Sequence, residues 1–272
     1  PLISANISSK PIVVLHGVAS SVQNMNVFSV WLEKTFNTKV FNIEIGNGVK
    51  TSMYTALPIQ LEELCQTIYK NNELKEGFNF IGMSQGGLLA RGYLEQCNLY
   101  PVKNLITLVT PHGGEFIKTI TTNFYTDFFQ KHLSVAGYWR DPHDLTNYLS
   151  KCSFLPILNN EIETDESDEQ FEQIIKLEHF IMIWSPYDTV LNPSESGKFS
   201  FYKIIEPALE YEEPLTVLDL FDSEQFTDDW LGLRTLWESE RLHILATNCT
   251  HSGHKTEECF PQLEELTFPF LV

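Results

Sequence analysis

Apolar residues occur along this chain in short continuous runs separated by segments with helical periodicity. The runs occupy residues 12–15, 40–45, 78–82, 105–109, 180–184 and 242–246. Most are apolar at nearly every position, which is typical of strands buried on both faces of a parallel sheet. Between the second and third runs a covering helix is indicated by Leu57, Leu61, Leu64, Cys65 and Ile68. The alternation predicts an α/β fold with a mainly parallel central sheet flanked by helices.

The alternation is interrupted between Glu115 and Leu177. The interrupted region is rich in aromatic residues, namely Phe116, Phe124, Tyr125, Phe128, Phe129, Tyr138 and Trp139. An acidic stretch, 161–172, follows them. We interpret 115–177 as an inserted, mostly helical cap on one domain spanning 1–272, and expect most of the aromatic residues to pack the cap onto the body while a minority line a groove.

The charge balance restricts the classes of partner. The chain has 272 residues, with 18 basic and 36 acidic side chains and a formal net charge of -18. Such a surface repels nucleic acid phosphates and anionic lipid headgroups, so neither is an expected partner. Protonation in an acidic compartment relieves this self-repulsion. No apolar run approaches the roughly 20 residues of a spanning helix, and no transmembrane segment is predicted.

The cysteines and sequons fit a secreted protein. Residue 1 is Pro, which indicates a processed or trimmed start. The 5 cysteines show no C-x-x-C spacing suited to zinc, and two disulfides with one free thiol are expected. Asn6 and Asn248 begin Asn-x-Ser/Thr triplets that permit N-glycosylation in the secretory route.

Ser84 lies in Gly82-Met83-Ser84-Gln85-Gly86, the Gly-x-Ser-x-Gly spacing of a nucleophile elbow. The apolar run 78–82 precedes it, and 87–94 has the composition of a helix. In such a turn the flanking positions must be small, and the serine hydroxyl is raised above the sheet at a helix N-terminus. This context, more than the five-residue pattern, predicts that Ser84 is the nucleophile of a serine hydrolase with the α/β-hydrolase fold.

A serine nucleophile needs a general base and a carboxylate that orients the base, here expected in the chain order Ser, Asp, His. Asp188 follows the run 180–184, at the sheet edge where catalytic groups of open α/β sheets gather. His251 and His254 both follow the last run and both fit the position of the base. We assign Asp188 as the orienting acid and His251 as the base, with His254 as the alternative.

An oxyanion hole is expected beside Ser84. His16-Gly17 follows the first run, and a glycine there lets a backbone N–H approach the reacting oxygen. We expect the backbone N–H groups of Val18 and Gln85 to form the hole. Three further histidines receive no catalytic role: His16, His112 and His243.

Further motifs extend the pattern beyond the elbow. They are Leu15-His16-Gly17, Glu44-Ile45-Gly46, Gly77-Phe78-Asn79, Tyr138-Trp139-Arg140-Asp141-Pro142 and Leu231-Gly232-Leu233. Together with the elbow they resemble the palmitoyl-protein thioesterases nearly end to end. The resemblance implies the α/β-hydrolase fold and a triad of Ser84, Asp188 and His251. The histidine region matches only with a small gap, so His254 stays the alternative base.

The resemblance also implies how the cysteines pair. A family disulfide beside the elbow falls on Cys65 and Cys97, as in the type 1 branch, and Cys249 with Cys259 resembles a second pair of the type 2 branch. Cys152 is then a buried free thiol. Glu212-Glu213 and Leu231-Gly232-Leu233 also resemble type 2, so the chain is similar to both branches.

The implied activity is hydrolysis of long-chain acyl thioesters, with palmitoylated proteins or peptides, or palmitoyl-CoA, as substrates. The resemblance places the protein in the lysosome or along the secretory pathway. We expect no cofactor and no metal, and favour a monomer. One alternative is a lipase or carboxylesterase, because the same triad cleaves oxygen esters. The other is an inactive lipid-binding protein that keeps the hydrolase fold.

Overall fold

The computed structural model describes residues 10–204 and 215–272. Asn6 and Glu212-Glu213, named above for a sequon and for the type 2 likeness, lie outside these ranges. Within them the strands are β1 Ile12–Leu15, β2 Val40–Ile43, β3 Phe78–Met83, β4 Val102–Leu108, β5 His179–Trp184, β6 Phe201–Tyr202, β7 Val217–Leu218 and β8 Leu242–Ala246. Each apolar run of the sequence therefore contains a strand.

In the described ranges the runs form one sheet of 6 strands in the order β2-β1-β3-β4-β5-β8. Every neighbouring pair in this sheet is parallel. Strands β6 and β7 form a separate antiparallel pair. The parallel sheet confirms the predicted α/β class, and it brings the segments after β1, β3, β5 and β8 to one edge.

Helices cover the sheet on both faces. They are α1 Val22–Phe36, α2 Val49–Tyr54, α3 Leu57–Tyr69, α4 Gln85–Gln96, α5 Asp127–His132, α6 Leu145–Lys151, α7 Leu155–Leu158, α8 Ser167–Ile175, α9 Glu224–Thr227, α10 Leu233–Glu238 and α11 Phe260–Leu271. Helices α3 and α4 confirm the helical patterns predicted on either side of β3.

Alternate residues of each strand enter two apolar cores. Phe80, Leu105 and Phe180 belong to the core beneath α3 and α4. Ile81 and Ile106, one position further along their strands, belong to the core beneath α1 and α11. Because successive side chains of a strand point to opposite faces, runs that are apolar throughout can fill both cores.

The segment 115–177 contains the short helices α5 to α8 and a 3-10 helix, Ser134–Tyr138. Its aromatic side chains Phe116, Phe124, Tyr125, Tyr138 and Trp139 are buried, whereas Phe128 is 66% exposed. Most of the aromatic residues thus contribute to packing. The division into a body and an inserted cap stays a prediction.

A buried arginine joins this segment to the elbow helix. Arg91 of α4 is fully buried and donates hydrogen bonds to the Leu158 carbonyl at 3.0 Å and to the Asn159 side chain. It also lies 2.8 Å from Glu95, whose pKa is raised to about 8, mainly by burial. His112, to which the sequence pattern assigned no role, bonds Arg91 at 3.1 Å. These contacts fix the loop after β4 against α4.

Two disulfides, Cys65–Cys97 and Cys249–Cys259, are present among the described residues. They are the pairs that the family resemblance implies, and Cys152 is free and buried as expected. In the part of the chain that the structure describes, no helix combines the length and the apolar character needed to cross a bilayer.

Candidate active site

Ser84 occupies the junction between β3 and α4. Its φ of 54° and ψ of -130° are unfavourable for a residue with a side chain. Its backbone N–H donates to the Leu108 carbonyl at 2.8 Å, which anchors the turn to β4. The strand-turn-helix setting predicted for Ser84 is therefore present, with the strained backbone of a nucleophile elbow.

Close backbone contacts explain the glycines of the motif. A Cβ added to Gly86 would lie 2.4 Å from the His16 carbonyl oxygen, and one added to Gly82 would lie 2.5 Å from the Gly87 Cα. Both distances are shorter than any real Cβ contact allows. The turn can form only when these positions lack side chains.

The loop after β1 touches Ser84 directly. A Cβ on Gly17 would lie 2.8 Å from the Ser84 Cβ, so the two backbones approach as closely as a glycine permits. Val18 follows Gly17, and Gln85 is the first residue of α4, where a backbone N–H has no partner within the helix. Gly17 thus brings the segment that carries Val18 next to Ser84, as the expected oxyanion hole requires.

A histidine–carboxylate contact holds this loop. The His16 Nε2 lies 2.5 Å from Glu44 Oε1, and Glu44 Oε2 accepts the Val22 N–H at 3.0 Å. Glu44 therefore links β2 to the two ends of the segment that carries Gly17 and Val18. The arrangement agrees with the expectation that His16 has no catalytic role.

Asp188 and His251 are in contact at the same edge of the sheet. The His251 Nδ1 lies 2.7 Å from Asp188 Oδ2, and the other carboxylate oxygen accepts the N–H groups of Val190 and Leu191 at 2.8 and 3.1 Å. Burial would raise the pKa of Asp188, but the bonds from His251 and from the two amides outweigh it and lower the pKa. The carboxyl group of Asp188 therefore loses its proton more readily than an ordinary aspartate.

The remaining ring nitrogen of His251 is available. Within residues 10–204 and 215–272, neither His251 Nε2 nor Ser84 Oγ has a hydrogen-bonding partner. The structure joins Asp188 to His251 but shows no bond from His251 to Ser84. Catalytic bonds of this kind are often loose in unliganded enzymes.

His254, the alternative base, has both ring nitrogens engaged. Nε2 lies 2.8 Å from Thr247 Oγ1, and Nδ1 lies 2.9 Å from the Thr250 carbonyl. The ring is fully buried, and burial lowers its pKa in spite of the backbone hydrogen bonds. His254 therefore packs beneath the loop that carries His251.

The disulfide Cys249–Cys259 encloses this loop. Potential metal-ligand atoms of Cys249, His254 and Cys259 lie within 4.8 Å of one another. Both sulfurs are bonded to each other and both nitrogens of His254 have partners, so in this oxidised form the cluster braces the loop.

Comparison with known proteins identifies the chain's family. The family model described as palmitoyl protein thioesterase matches residues 11–251. The chain belongs to this family. It is 37% identical to palmitoyl-protein thioesterase 3 of Dictyostelium discoideum, over 97% of the chain and 93% of that protein. It is 30% identical to the lysosomal thioesterase PPT2 homolog of Drosophila melanogaster, over 99% of the chain and 94% of that protein.

The fold of this thioesterase family member also has known structural relatives. The crystal structure of Paleococcus ferrophilus monoacylglycerol lipase matches with a TM-score of 0.55 and 12% identity, covering 96% of the chain and 93% of the lipase. At this identity the likeness shows the fold alone. It confirms the predicted α/β-hydrolase fold, and with the family it makes the chain a serine hydrolase.

Two carboxyl groups beside this site receive no role from the sequence pattern. The sequence distinguishes Glu44 only as part of a family motif, Glu44-Ile45-Gly46. Glu115, at the start of the interrupted region, carried no signal because its contacts are with residues far along the chain. When the role of a side chain depends on distant partners, the sequence around it shows no periodicity or motif spacing that would predict that role.

Proposed function

We propose that this serine hydrolase cleaves long-chain fatty acyl thioesters, of S-acylated proteins or peptides or of palmitoyl-CoA, with Ser84 as nucleophile, His251 as general base and Asp188 as the orienting acid. The observation that carries the proposal is the 2.7 Å contact between His251 Nδ1 and Asp188, with Nε2 left without a partner in the described residues. A base needs this arrangement: one nitrogen held, the other able to take a proton.

The reaction begins with attack of the Ser84 hydroxyl on the thioester carbonyl while His251 Nε2 takes the hydroxyl proton. The developing oxyanion accepts hydrogen bonds from the backbone N–H groups of Val18 and Gln85. Ionised Asp188 stabilises the imidazolium that forms and holds the ring with Nδ1 protonated.

Collapse of the tetrahedral intermediate releases the thiolate and leaves an acyl-Ser84 ester. A thiolate is a good leaving group, so little proton donation from His251 is needed. The proton that His251 took from Ser84 passes to the departing thiolate or to bulk water, and the neutral ring then takes a proton from a second water molecule, whose oxygen attacks the ester carbonyl. The fatty acid leaves and Ser84 regains its proton.

Two observations favour His251 over His254 as the base. His254 would have to break a buried bond to Thr247 or to the Thr250 carbonyl before either nitrogen could act. An unsatisfied buried polar group costs about 1–3 kcal/mol. His251 needs no such rearrangement, and it alone contacts Asp188 through a side chain.

A preference for long acyl chains would come from burial of apolar surface. A sixteen-carbon chain offers roughly 10 kcal/mol at about 0.8 kcal/mol per methylene, before the cost of ordering the chain. Names of relatives support the palmitoyl substrate and a lysosomal or secretory location. Asn248, whose sequon lies in the loop after β8, is exposed and accessible to glycosylation.

The test compares hydrolysis of palmitoyl-CoA and of a palmitoylated peptide by the wild type and by three variants. We expect Ser84→Ala to abolish both activities and His251→Ala to reduce them by about 10⁴-fold or more, with His254→Ala retaining more activity than His251→Ala. Activity retained by His251→Ala and lost in His254→Ala would reverse the assignment of the base.

Two further measurements address the alternative functions. A matched pair of palmitoyl thioester and oxygen ester tests the leaving group, and a strong preference for the oxygen ester would favour a lipase or carboxylesterase. A fluorophosphonate probe tests the nucleophile. Failure of folded wild type to be labelled at Ser84 would favour an inactive lipid-binding protein.

A further inference from the structure

A second buried carboxyl group forms hydrogen bonds with the loop that carries Asp188. Glu115, in the segment after β4, is only 9% exposed. Its two carboxyl oxygens lie 3.0 and 3.2 Å from the backbone N–H of Asn192. Asn192 lies four residues after Asp188, at the far end of the same loop, so Glu115 and His251 hold this loop at different points.

Asn192 is held by more than this one bond. Its carbonyl accepts the Phe116 N–H at 2.9 Å, and its side-chain oxygen accepts a hydrogen bond from the Tyr202 hydroxyl. Glu115 and Phe116 therefore bind both the N–H and the carbonyl of one residue. Such a two-point contact fixes both the position and the direction of the backbone at Asn192.

Glu115 is itself fixed to a well-packed segment. Its backbone N–H donates to the Tyr138 carbonyl at 3.0 Å, and its carbonyl accepts the Arg140 N–H at 2.9 Å. Tyr138 and Trp139 are each 4% exposed. Glu115, which binds Asn192, is therefore held in place by a buried segment outside the Asp188 loop.

We propose that Glu115 is a positioning residue, which fixes the Asp188 loop through Asn192 and thereby orients His251. This inference rests on the proposed function, because it assumes that Asp188 and His251 act as acid and base. The carboxyl group touches no reacting atom and acts only through the loop.

The surroundings of Glu115 contain acidic groups and no side-chain cation that pairs with it in the described residues. The charged and titratable groups that face it are Asp188 in the held loop, Tyr138 in the supporting segment, and Tyr202 with the neighbouring Glu195. Arg140 directs its guanidinium to Glu161, at 2.6 Å. A negative charge on Glu115 therefore lies beside Asp188 without local compensation.

Burial raises the pKa of Glu115 to about 8; the hydrogen bond from Asn192 opposes this shift, and Asp188 adds a smaller increase. Below that pH the neutral carboxyl accepts the Asn192 N–H without repelling Asp188. Above it, the buried carboxylate has no cation beside it among the described residues, so we expect the segment to open towards water, which loosens the loop. Activity of the wild type should therefore fall as the pH rises through about 8.

Two substitutions of Glu115 separate the effect of its hydrogen bond with Asn192 from the effect of its charge. Glu115→Gln keeps a carbonyl oxygen that accepts the Asn192 N–H but cannot ionise, whereas Glu115→Ala removes the acceptor. We expect Glu115→Ala to lower kcat about 10–100-fold with KM little changed, since misplacement of a supporting group can cost 10²-fold. We expect Glu115→Gln to keep most of the activity at pH 5 and to lose the decline near pH 8.

The matched control is Glu95→Gln, because Glu95 is also buried with a pKa raised to about 8 but pairs with Arg91, away from the Asp188 loop. This variant should keep the decline near pH 8. Wild-type kcat and pH profile in folded Glu115→Ala would overturn the proposal. If Glu115→Ala does not fold, a Glu115→Gln profile that still declines near pH 8 overturns it.

The rate of fluorophosphonate labelling of Ser84 is measured over the same pH range. Labelling depends on the nucleophile and its base, but not on the natural acyl thioester. Wild type that is labelled yet hydrolyses no palmitoyl thioester would refute the substrate while leaving the Glu115 test intact. Normal hydrolysis with no effect of Glu115→Ala or Glu115→Gln would refute Glu115 alone.

Discussion

Close backbone packing is the main restraint on the nucleophile side of the candidate active site, supplemented by Glu44, whereas side-chain hydrogen bonds and a disulfide hold the acid–base side. The nucleophile side comprises Gly17, Val18 and residues 82–87, where glycines let three backbones meet. The acid–base side comprises the loops 185–193 and 247–259, tied together by the contact between Asp188 and His251.

Because of this difference, we expect substitutions on the two sides to affect activity differently. Close backbone packing tolerates no added atom, because no rotamer change relieves a clash between main chains. A network of side-chain bonds can lose one member and keep its shape in part, since the other bonds remain. Among residues outside the triad, substitutions on the nucleophile side should therefore lower activity more than substitutions that remove one supporting bond on the acid–base side.

Among substitutions that leave the triad intact, the largest effect is expected from Gly17→Ala. The added Cβ would lie 2.8 Å from the Ser84 Cβ and 3.1 Å from the Met83 carbonyl oxygen. The loop must move away, and displacement of about 1 Å near reacting groups can cost roughly 10²-fold in rate. The measurement is kcat/KM with a palmitoyl thioester, alongside circular dichroism to check folding.

Gly137→Ala serves as the control for Gly17→Ala. There the added Cβ would meet the Leu57 side chain and the Phe154 Cβ, each at 3.3 Å, and no backbone atom is among its nearest neighbours, so the activity should stay within about twofold of wild type. Wild-type activity in folded Gly17→Ala would contradict the backbone-packing account of the nucleophile side.

The two disulfides offer the next comparison. Removing either pair by serine substitution should lower the free energy of unfolding by about 2–4 kcal/mol, with the greater loss for Cys65–Cys97, because it spans 32 residues against 10 for Cys249–Cys259. Activity should show the opposite order. Loss of Cys249–Cys259 frees the His251 loop and should lower kcat roughly tenfold.

Urea denaturation and steady-state kinetics measure these two quantities on the same preparations. If loss of Cys65–Cys97 lowered kcat more than loss of Cys249–Cys259 in fully folded protein, the expected difference between the two sides would be contradicted.

A smaller effect is expected from Thr247→Val. It removes the hydroxyl that bonds His254 Nε2 at 2.8 Å and leaves a buried ring nitrogen without a partner. The expected loss of stability is about 1–3 kcal/mol. Thr256→Val is the matched control, because the Thr256 hydroxyl is exposed and bonds only the Gly253 carbonyl. Equal melting temperatures of the two variants would argue against a bracing role for His254.

The last comparison concerns stability and pH. Burial raises the pKa of both Glu95, behind the elbow helix, and Glu115, beside the acid–base side, from 4.5 to about 8. Between those values the unfolded chain has lost protons that the folded chain keeps, so the free energy of unfolding decreases as pH rises. Each group contributes at most about 1.4 kcal/mol per pH unit.

Chemical denaturation at pH 5 and pH 8 checks this sign. Glu95→Gln and Glu115→Gln should each flatten the pH dependence, and the double variant should flatten it further. A wild type that gains stability between pH 5 and pH 8 would contradict the expected sign. Greater stability in acid would suit the acidic compartment that the net charge of -18 favours.

The sequence predicted the fold and the strand-turn-helix around Ser84 well because both depend on neighbouring residues. Each apolar run contains a strand, and the strand-turn-helix around Ser84 lies within twenty consecutive positions. The sequence was less informative about the acid–base side. His251 and His254 are three residues apart in one loop, and no periodicity or spacing tells their environments apart.

By itself, the sequence determined the parallel sheet, the elbow with its glycines and the family, because local patterns and motifs carry that information. Only the tertiary structure decided which histidine meets Asp188, 63 residues away, and that Glu115 binds Asn192, 77 residues away. It also showed that His112 is a buried partner of Arg91. These contacts depend on how folding brings distant segments together. The local sequence around each of these residues does not identify its partner.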